Sequence, residues 1–329
     1  DDSTPELENR NSFKTMNTTP ICLFVYNRPK ETEAALASLS ACRGADQHPL
    51  FIFSDGVKHP QADTAVKEVR NILHRPWPFL SIHYSESSVN RGLAKSIIEG
   101  VGKVLEQYEQ VIVLEDDLVL SADFLEYMEQ SLLTYRNDNR IWSISGYSPS
   151  IEIPADYEHQ VYLTPRASSW GWGTWRNRWE GIDWEVRDYR QFKSSRKKRK
   201  AFDRGGNDMS RLLDLQQHGR INSWAIRWCY AQFLRNMYTV YPIKSKVANQ
   251  GFGNNASHAG WHDDRHQVVL DSSPLEISPD LEPDGRIMDA FKAHQDLGII
   301  SKTGYFIRLH GLGYKFFQKI LKLILHHQH

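Results

Sequence analysis

Three consecutive acids, Glu115, Asp116 and Asp117, directly follow an apolar run at 111–114. Such a run is typical of a strand that is buried on both faces. Repulsion and desolvation oppose three carboxylates at the end of a buried strand, and a divalent cation would remove that cost by supplying positive charge. The pattern therefore predicts a site for Mn²⁺ or Mg²⁺ and a diphosphate. The alternative interpretation is an acidic turn before a helix near residue 121.

Strand and helix patterns alternate around these acids as far as residue 150. The predicted strands are 20–26, 50–53, 80–84, 111–114 and 141–146. The predicted helices are 30–42, 62–74, a helix opened by residues 90–94, and one starting at residue 121. This alternation predicts the α/β class, with a mostly parallel, Rossmann-like sheet flanked by helices. In such sheets, ligands bind outside the carboxyl ends of the strands, where the acids lie.

Tryptophans are concentrated in the second half of the chain. A Gly/Trp-rich segment contains Trp170, Trp172 and Trp175, and Trp224 follows later. Aromatic rings in excess of core needs often line sites for sugars and other flat ligands. We interpret these four as an acceptor-binding wall, with a hydrophobic cluster beneath a long loop as the alternative.

Composition limits the classes of partner and compartment. The 329 residues carry no formal net charge, so nothing favours nucleic acid as a partner. Three widely spaced cysteines form no disulfide or metal pattern, which favours a reducing, cytoplasmic compartment. No apolar run reaches about 18 residues, the length of a membrane-spanning helix.

The chain is expected to have four parts. Residues 1–15 are a flexible leader, 16–150 the nucleotide-sugar-binding half, 151–270 the acceptor-binding half, and 271–329 a C-terminal extension. Within that extension, 305–325 reads as an amphipathic basic helix. It either docks on the domain or makes a peripheral contact with the inner face of the cytoplasmic membrane.

Several motifs occur in a characteristic order. They are Asn27-Arg28, Ser54-Asp55-Gly56, Asn90-Arg91-Gly92-Leu93-Ala94, Glu115-Asp116-Asp117-Leu118, Asp123-Phe124-Leu125-Glu126-Tyr127 and the Gly171-Trp172 loop. Together they resemble GT-A-fold glycosyltransferases, most closely bacterial sugar transferases related to the N-acetylglucosaminyltransferase I family. The resemblance covers most of 20–260. It implies a GT-A fold and transfer of a hexosyl or N-acetylhexosaminyl group from a nucleotide sugar, with UDP as the nucleotide. The acceptor would be a glycan or a lipid-linked glycan in bacterial surface polysaccharide or lipopolysaccharide biosynthesis.

The resemblance also implies roles for individual residues. Asp117 would be the direct protein ligand of Mn²⁺ or Mg²⁺, while Glu115 and Asp116 would hold the ribose, the sugar or the water shell. The metal would neutralise charge on the leaving nucleoside diphosphate. His258 lies in a glycine-rich segment that favours a loop closing over the donor, where it would reach the metal or the diphosphate. The alternatives are a plain surface loop and a zinc site.

Other implied donor contacts follow the first two strands. Tyr26, Asn27 and Arg28 would border the nucleotide, and Asp55 would accept a hydrogen bond from uracil. Arg91 would add positive charge or, alternatively, serve as a surface residue at the start of a helix.

The catalytic base is the least defined residue. Related enzymes often carry an acid after a Trp in the segment that matches 223–228, but this chain has Ala225 there. An inverting transfer needs a base for the acceptor hydroxyl. Glu180, Asp183 and Glu185, beside the Gly/Trp-rich segment, are the substitutes that sequence proximity suggests.

Two other function classes remain open at this stage. A sugar nucleotidyltransferase also needs a metal at a strand end, but it normally uses a glycine-rich phosphate loop that the segment 27–30 lacks. A non-catalytic sugar-binding protein could keep the fold without turnover, and Ala225 favours that alternative.

Overall fold

The structure, a computed structural model, describes residues 18–251 and 267–297. The strands of this part are β1 (Ile21–Val25), β2 (Pro49–Ser54), β3 (Ser81–Glu86), β4 (Gln110–Glu115), β5 (Leu118–Leu120), β6 (Ile141–Ser145), β7 (Val161–Thr164), β8 (Trp172–Trp175), β9 (Tyr238–Pro242) and β10 (Val247–Asn249). The α-helices are α1 (Pro29–Ser40), α2 (Asp63–Leu73), α3 (Leu93–Leu105), α4 (Phe124–Tyr135), α5 (Arg176–Trp179), α6 (Tyr189–Ser194), α7 (Arg196–Phe202), α8 (Met209–Gln217), α9 (Trp224–Leu234) and α10 (Gly285–Gln295). Short 3₁₀ helices cover Ala45–Gln47, Pro60–Ala62 and Asp203–Gly205.

Eight strands form one sheet in the order β3-β2-β1-β4-β8-β6-β9-β7. Strands β1 to β4 pair in parallel, and β6 pairs in parallel with β9. Only β8 and β7 run in the opposite direction among these eight. The prediction of an α/β fold with a mostly parallel sheet flanked by helices is confirmed.

Helices cover both faces of this sheet because the strands are apolar on both faces. Along β1, Ile21 and Leu23 belong to a core cluster with α1, α2 and α4, whereas Cys22 and Phe24 belong to a second cluster with α3 and α9. Successive strand residues point to opposite faces, so one unbroken apolar run supplies two cores.

The second half of the chain adds features that the alternation did not predict. Strand β8 inserts antiparallel between β4 and β6, so the two halves at 16–150 and 151–270 contribute to one sheet. Directly after the three acids, β5 pairs with β10 in a separate two-stranded sheet. The division into four functional parts stays a prediction.

A buried lysine ties the segment 267–297 to the sheet domain. Lys246, which is 0% exposed, donates to Asp123 Oδ2 at 2.6 Å and to the carbonyl oxygens of Asp271 at 2.8 Å and Ser273 at 2.7 Å. Removing one member would leave a buried charge uncompensated, which typically costs about 3–5 kcal/mol. The predicted leader at 1–15 and amphipathic helix at 305–325 lie outside the described residues. In the described part, no helix is long and apolar enough to cross a membrane.

Candidate functional site

The carboxyl ends of β1, β2 and β4 meet at one edge of the sheet. The register pairs Val25 with Ser54 and Phe24 with Glu115, so the residues that follow these strands are neighbours. Strand β8 begins at this edge, where Trp172 pairs with Val113. The polar residues predicted to act together therefore start from adjacent positions, because parallel strands end on the same side of a sheet.

Arg28 is the cation that faces the acid triplet. Its Nη1 lies 2.7 Å from Asp117 Oδ2 and 3.7 Å from Asp116 Oδ1. Asp116 Oδ2 also accepts the backbone N–H of Tyr26 at 3.2 Å. Two consecutive carboxylates thus converge on one positive group that β1 delivers, and the first strand and the triplet form one cluster.

Burial disfavours the ionised forms of the carboxyl groups in the triplet. Asp116 is 8% exposed, and burial, with the charge of Asp117 adding to it, raises its pKa to about 7. Burial and the charges of Asp117 and Asp116 raise the pKa of Glu115 well above its usual range. Arg28 opposes both shifts without cancelling them. The ionised forms of Glu115 and Asp116 are therefore disfavoured in spite of Arg28, and a further cation at this position would favour them.

The backbone at 249–251 covers one side of Asp117. The N–H of Gln250 donates to the Asp117 carbonyl oxygen at 2.8 Å, next to the pairing of Asn249 with Leu118. A Cβ at Gly251 would overlap Asp117 Oδ2, so a larger residue there would push the Asp117 carboxylate aside. Lys246 anchors the start of this segment through its buried contact with Asp123. Sequence reasoning missed Lys246, because a single lysine near the start of a short strand carries no signal.

Asp55 organises the loop that precedes α3. Its two carboxylate oxygens accept the N–H groups of Gly56, Arg91 and Gly92, each at 2.8 Å, and the side-chain amide of Asn90 at 3.0 Å. A carboxylate offers about four acceptor positions. These internal bonds fill them, so Asp55 fixes the backbone at 90–92, and its contact with uracil stays a prediction.

A polar cleft of about 340 Å³ lies beside this loop. Asp55, Ser87 and Arg91 line it, together with residues of β2, β3 and α3. Arg91 is also paired with Glu99. The cleft places the predicted donor residues Asp55 and Arg91 next to a space of ligand size.

The tryptophans divide into two groups. Trp172, at 0% exposed, stacks with Trp224 at 5.1 Å between ring centroids, and Trp175 is also buried. The rings of these three are enclosed by other side chains, which favours the hydrophobic cluster, and their role in acceptor binding stays a prediction that this burial does not support. Trp170 remains half-buried at the carboxyl edge, with Tyr147 edge-on at 4.6 Å. Its predicted acceptor contact is still open.

The contacts of the substitute bases do not connect them with the triplet. Because β8 runs antiparallel, the chain reaches the opposite edge of the sheet before Glu180, whose carbonyl oxygen accepts from Arg235 at the end of α9. This placement does not support Glu180 as a base near Asp117, and its catalytic role stays a prediction. Asp183 is exposed and accepts the N–H groups of Glu185 and Arg187. Catalytic roles for Asp183 and Glu185 stay predictions that none of these contacts supports.

The donor set at the carboxyl edge fits a metal that is bound mainly by its substrate. Within residues 18–251 and 267–297, no group of three or more His, Cys, Asp or Glu side chains is arranged to hold a metal ion. Magnesium-type ions, however, are commonly held by one or two carboxylates plus phosphate oxygens and waters. Asp116 and Asp117 supply such a pair, already directed at one cation, Arg28. His258 lies outside the described residues.

Comparisons with known proteins add little beyond the fold. No protein-family model matches the chain. Among solved structures, it is similar to the mannosyltransferase PcManGT from Pyrobaculum calidifontis in complex with GDP-Man and Mn2+, at 17% identity and a TM-score of 0.33. The match covers 49% of this chain and 45% of that chain, so it spans less than half of either protein. A likeness at this level bears on neither the donor nor the acceptor of this chain.

Proposed function

We propose that this chain is a metal-dependent glycosyltransferase that transfers a sugar from a nucleotide-sugar donor. The observation that carries the proposal is the cluster at the carboxyl edge, where Glu115, Asp116 and Asp117 face the single guanidinium of Arg28. A protein that folds with excess buried negative charge loses stability unless a cation relieves it. A divalent ion bound with a diphosphate supplies that charge and brings its own oxygen ligands.

Asp117 and Asp116 are the residues that would hold the metal. When bound, a divalent ion stabilises the negative charge that develops on a leaving nucleoside diphosphate. Arg28, within 4 Å of both carboxylates, is placed to turn its donors to phosphate oxygens. The backbone at 249–251 shields Asp117 from water on one side.

The remaining donor contacts are assigned to the first two strands and the cleft. Tyr26 and Asn27 follow β1 and would border the nucleotide, while Asp55 holds the 90–92 backbone beside the cleft. Glu115 would contact the ribose, the sugar or the water shell. With UDP as the nucleotide, uracil would lie near the cleft, where backbone groups ordered by Asp55 would bind it.

The acceptor side of the proposal rests on the family resemblance. It assigns hexosyl or N-acetylhexosaminyl transfer to a glycan or lipid-linked acceptor in bacterial surface polysaccharide assembly. Trp170 is the aromatic residue that could stack on such an acceptor, because its ring is half-buried at the carboxyl edge.

A thermal-shift series tests the donor and the metal together. The protein would be heated with UDP-sugars, GDP-sugars or no ligand, each with Mn²⁺ or EDTA, because a ligand that binds the folded state raises the apparent melting temperature. We expect a rise that needs both Mn²⁺ and a UDP-sugar. A rise with no metal requirement would contradict the proposal.

Product analysis separates the proposed activity from its two rivals. Slow release of UDP from the donor in Mn²⁺ is expected of a transferase without acceptor. Pyrophosphate release from UTP and a sugar phosphate would identify a nucleotidyltransferase instead. Donor binding without any turnover, even with added glycan acceptors, would indicate a sugar-binding protein.

A further inference from the structure

A strongly basic surface lies on the outer side of α6 and α7. Seven of the twelve residues from 193 to 204 are Lys or Arg, in a chain whose formal net charge is zero. Six of these side chains are exposed, and we refer to them as the basic surface. They are Lys193, Arg196, Lys197, Lys198, Lys200 and Arg204. Among the described residues, none of the six forms an ion pair.

The basic surface is held rigidly by its inner side. Phe192 and Phe202 are buried and pack edge-on against Tyr230 of α9 at 5.1 and 5.5 Å between ring centroids. The seventh cation, Arg199, donates to both carboxylate oxygens of Asp214 at 2.8 and 2.7 Å. One cation therefore attaches α7 to α8 through an ion pair, whereas the outward ones form no ion pair with any described residue.

The described chain ends beside this surface. The N–H of Leu297 donates to Asn207 Oδ1 at 2.9 Å, and the N–H of Asn207 donates to Asp296 Oδ1 at 2.8 Å. Asn207 is three residues from Arg204. The sequence that follows residue 297 interleaves bulky apolar residues with Lys315, Lys319 and Lys322.

We propose that the basic surface contacts an anionic lipid bilayer. The six cations spread over successive turns without converging on a pocket, so they match a broad sheet of negative charge better than one phosphate. The phenylalanines of both helices face inward, which leaves them unable to stack on nucleic-acid bases. The composition of the sequence after residue 297, apolar residues interleaved with lysines, suits the same kind of interface. The proposal does not depend on the transfer chemistry.

Vesicle flotation of the full chain tests this surface. Vesicles of phosphatidylcholine with 30 mol% phosphatidylglycerol would be compared with pure phosphatidylcholine, each at ~0.05 and ~0.5 M salt. The variant is Lys197→Gln/Lys198→Gln/Lys200→Gln, and the matched control is Lys67→Gln/Lys95→Gln/Lys103→Gln, which removes the same charge from α2 and α3. Circular dichroism would establish that both variants are folded.

We expect the parent and the control to bind anionic vesicles at low salt and to be released at high salt. The basic-surface variant should partition roughly a hundredfold less, since each cation near the head groups contributes about fivefold. Equal binding by this variant and the parent would overturn the proposal, as would a parent that ignores anionic vesicles. Binding to RNA or heparin but not to vesicles would assign the surface to another class of partner and would equally overturn it.

Discussion

The carboxyl edge and the tryptophan cluster around Trp172 are both unusual in composition, yet they are built on opposite principles. At the edge, Arg28 is the cation that pairs with the carboxylates within the described residues, and the pKa of Glu115 and of Asp116 is raised. In the cluster, Trp172, Trp179 and Trp228 pack against one another at 4.9–5.7 Å between ring centroids, one pair stacked and two tilted. The buried rings stabilise one another by packing, whereas the buried carboxylates oppose one another's ionisation. Buried ionisable groups with shifted pKa values are thus a better guide to a ligand site than the enrichment of one residue type.

The largest effect is expected from the cluster. Trp172→Ala should destabilise the protein by about 3–5 kcal/mol, because it opens a cavity among packed rings. The melting temperature should fall by roughly 6–20 °C for a domain of this size. Trp170→Ala, the matched control at the half-buried position, should lower it by less than half as much. Similar melting temperatures for both variants would erase the distinction between the two tryptophans.

At the carboxyl edge, the expected loss is in activity. Asp117→Asn keeps the shape of the side chain but removes the charge that a hard cation needs. UDP release in Mn²⁺ should fall by at least about a hundredfold, since even residues that only orient metal ligands cost 10–100-fold. Thermal unfolding should remain cooperative. Full activity at saturating donor and metal would remove Asp117 from the site.

We expect an effect of intermediate size at Asp55, because its carboxylate already accepts four hydrogen bonds within the protein. Asp55→Asn would direct an NH₂ group at backbone N–H donors, so at least one of them loses its acceptor at a cost of about 1–3 kcal/mol. We expect a lower melting temperature together with weaker UDP binding, as the 90–92 backbone moves. Weaker UDP binding with an unchanged melting temperature would instead favour direct contact between Asp55 and the base.

The smallest predicted effect is a pH-dependent gain in stability. Burial raises the pKa of Asp116 from 3.8 to about 7, so the folded state binds more protons than the unfolded state between these values. Stability contributed by this group therefore falls as the pH rises from about 4 to 7. Without metal, Asp116→Asn should melt a few degrees higher than the parent at pH 8 and nearly level with it at pH 4. Asp46→Asn, at an exposed position, is the control and should show no such contrast; a gain that is equal at both pH values would contradict the assignment.

The first half of the fold was predictable because its signals are local. The apolar runs at 50–53 and 111–114 became β2 and β4 within a residue or two, and parallel pairing then aligned Arg28 with the acid triplet. The antiparallel entry of β8 was not predictable, because strand direction depends on partners far along the chain. That single reversal buried Trp172 and carried Glu180 to the opposite edge.

The contact between Lys246 and Asp123 imposes an order on events while the chain is being synthesised. The two residues are 123 positions apart, so at 5–20 residues per second Asp123 waits roughly 6–25 s for its partner. The backbone that covers Asp117 follows Lys246 directly and is equally late. The acid triplet is thus made early but reaches its final geometry late. A nascent chain that ends before residue 246 would therefore carry all three acids without an assembled site.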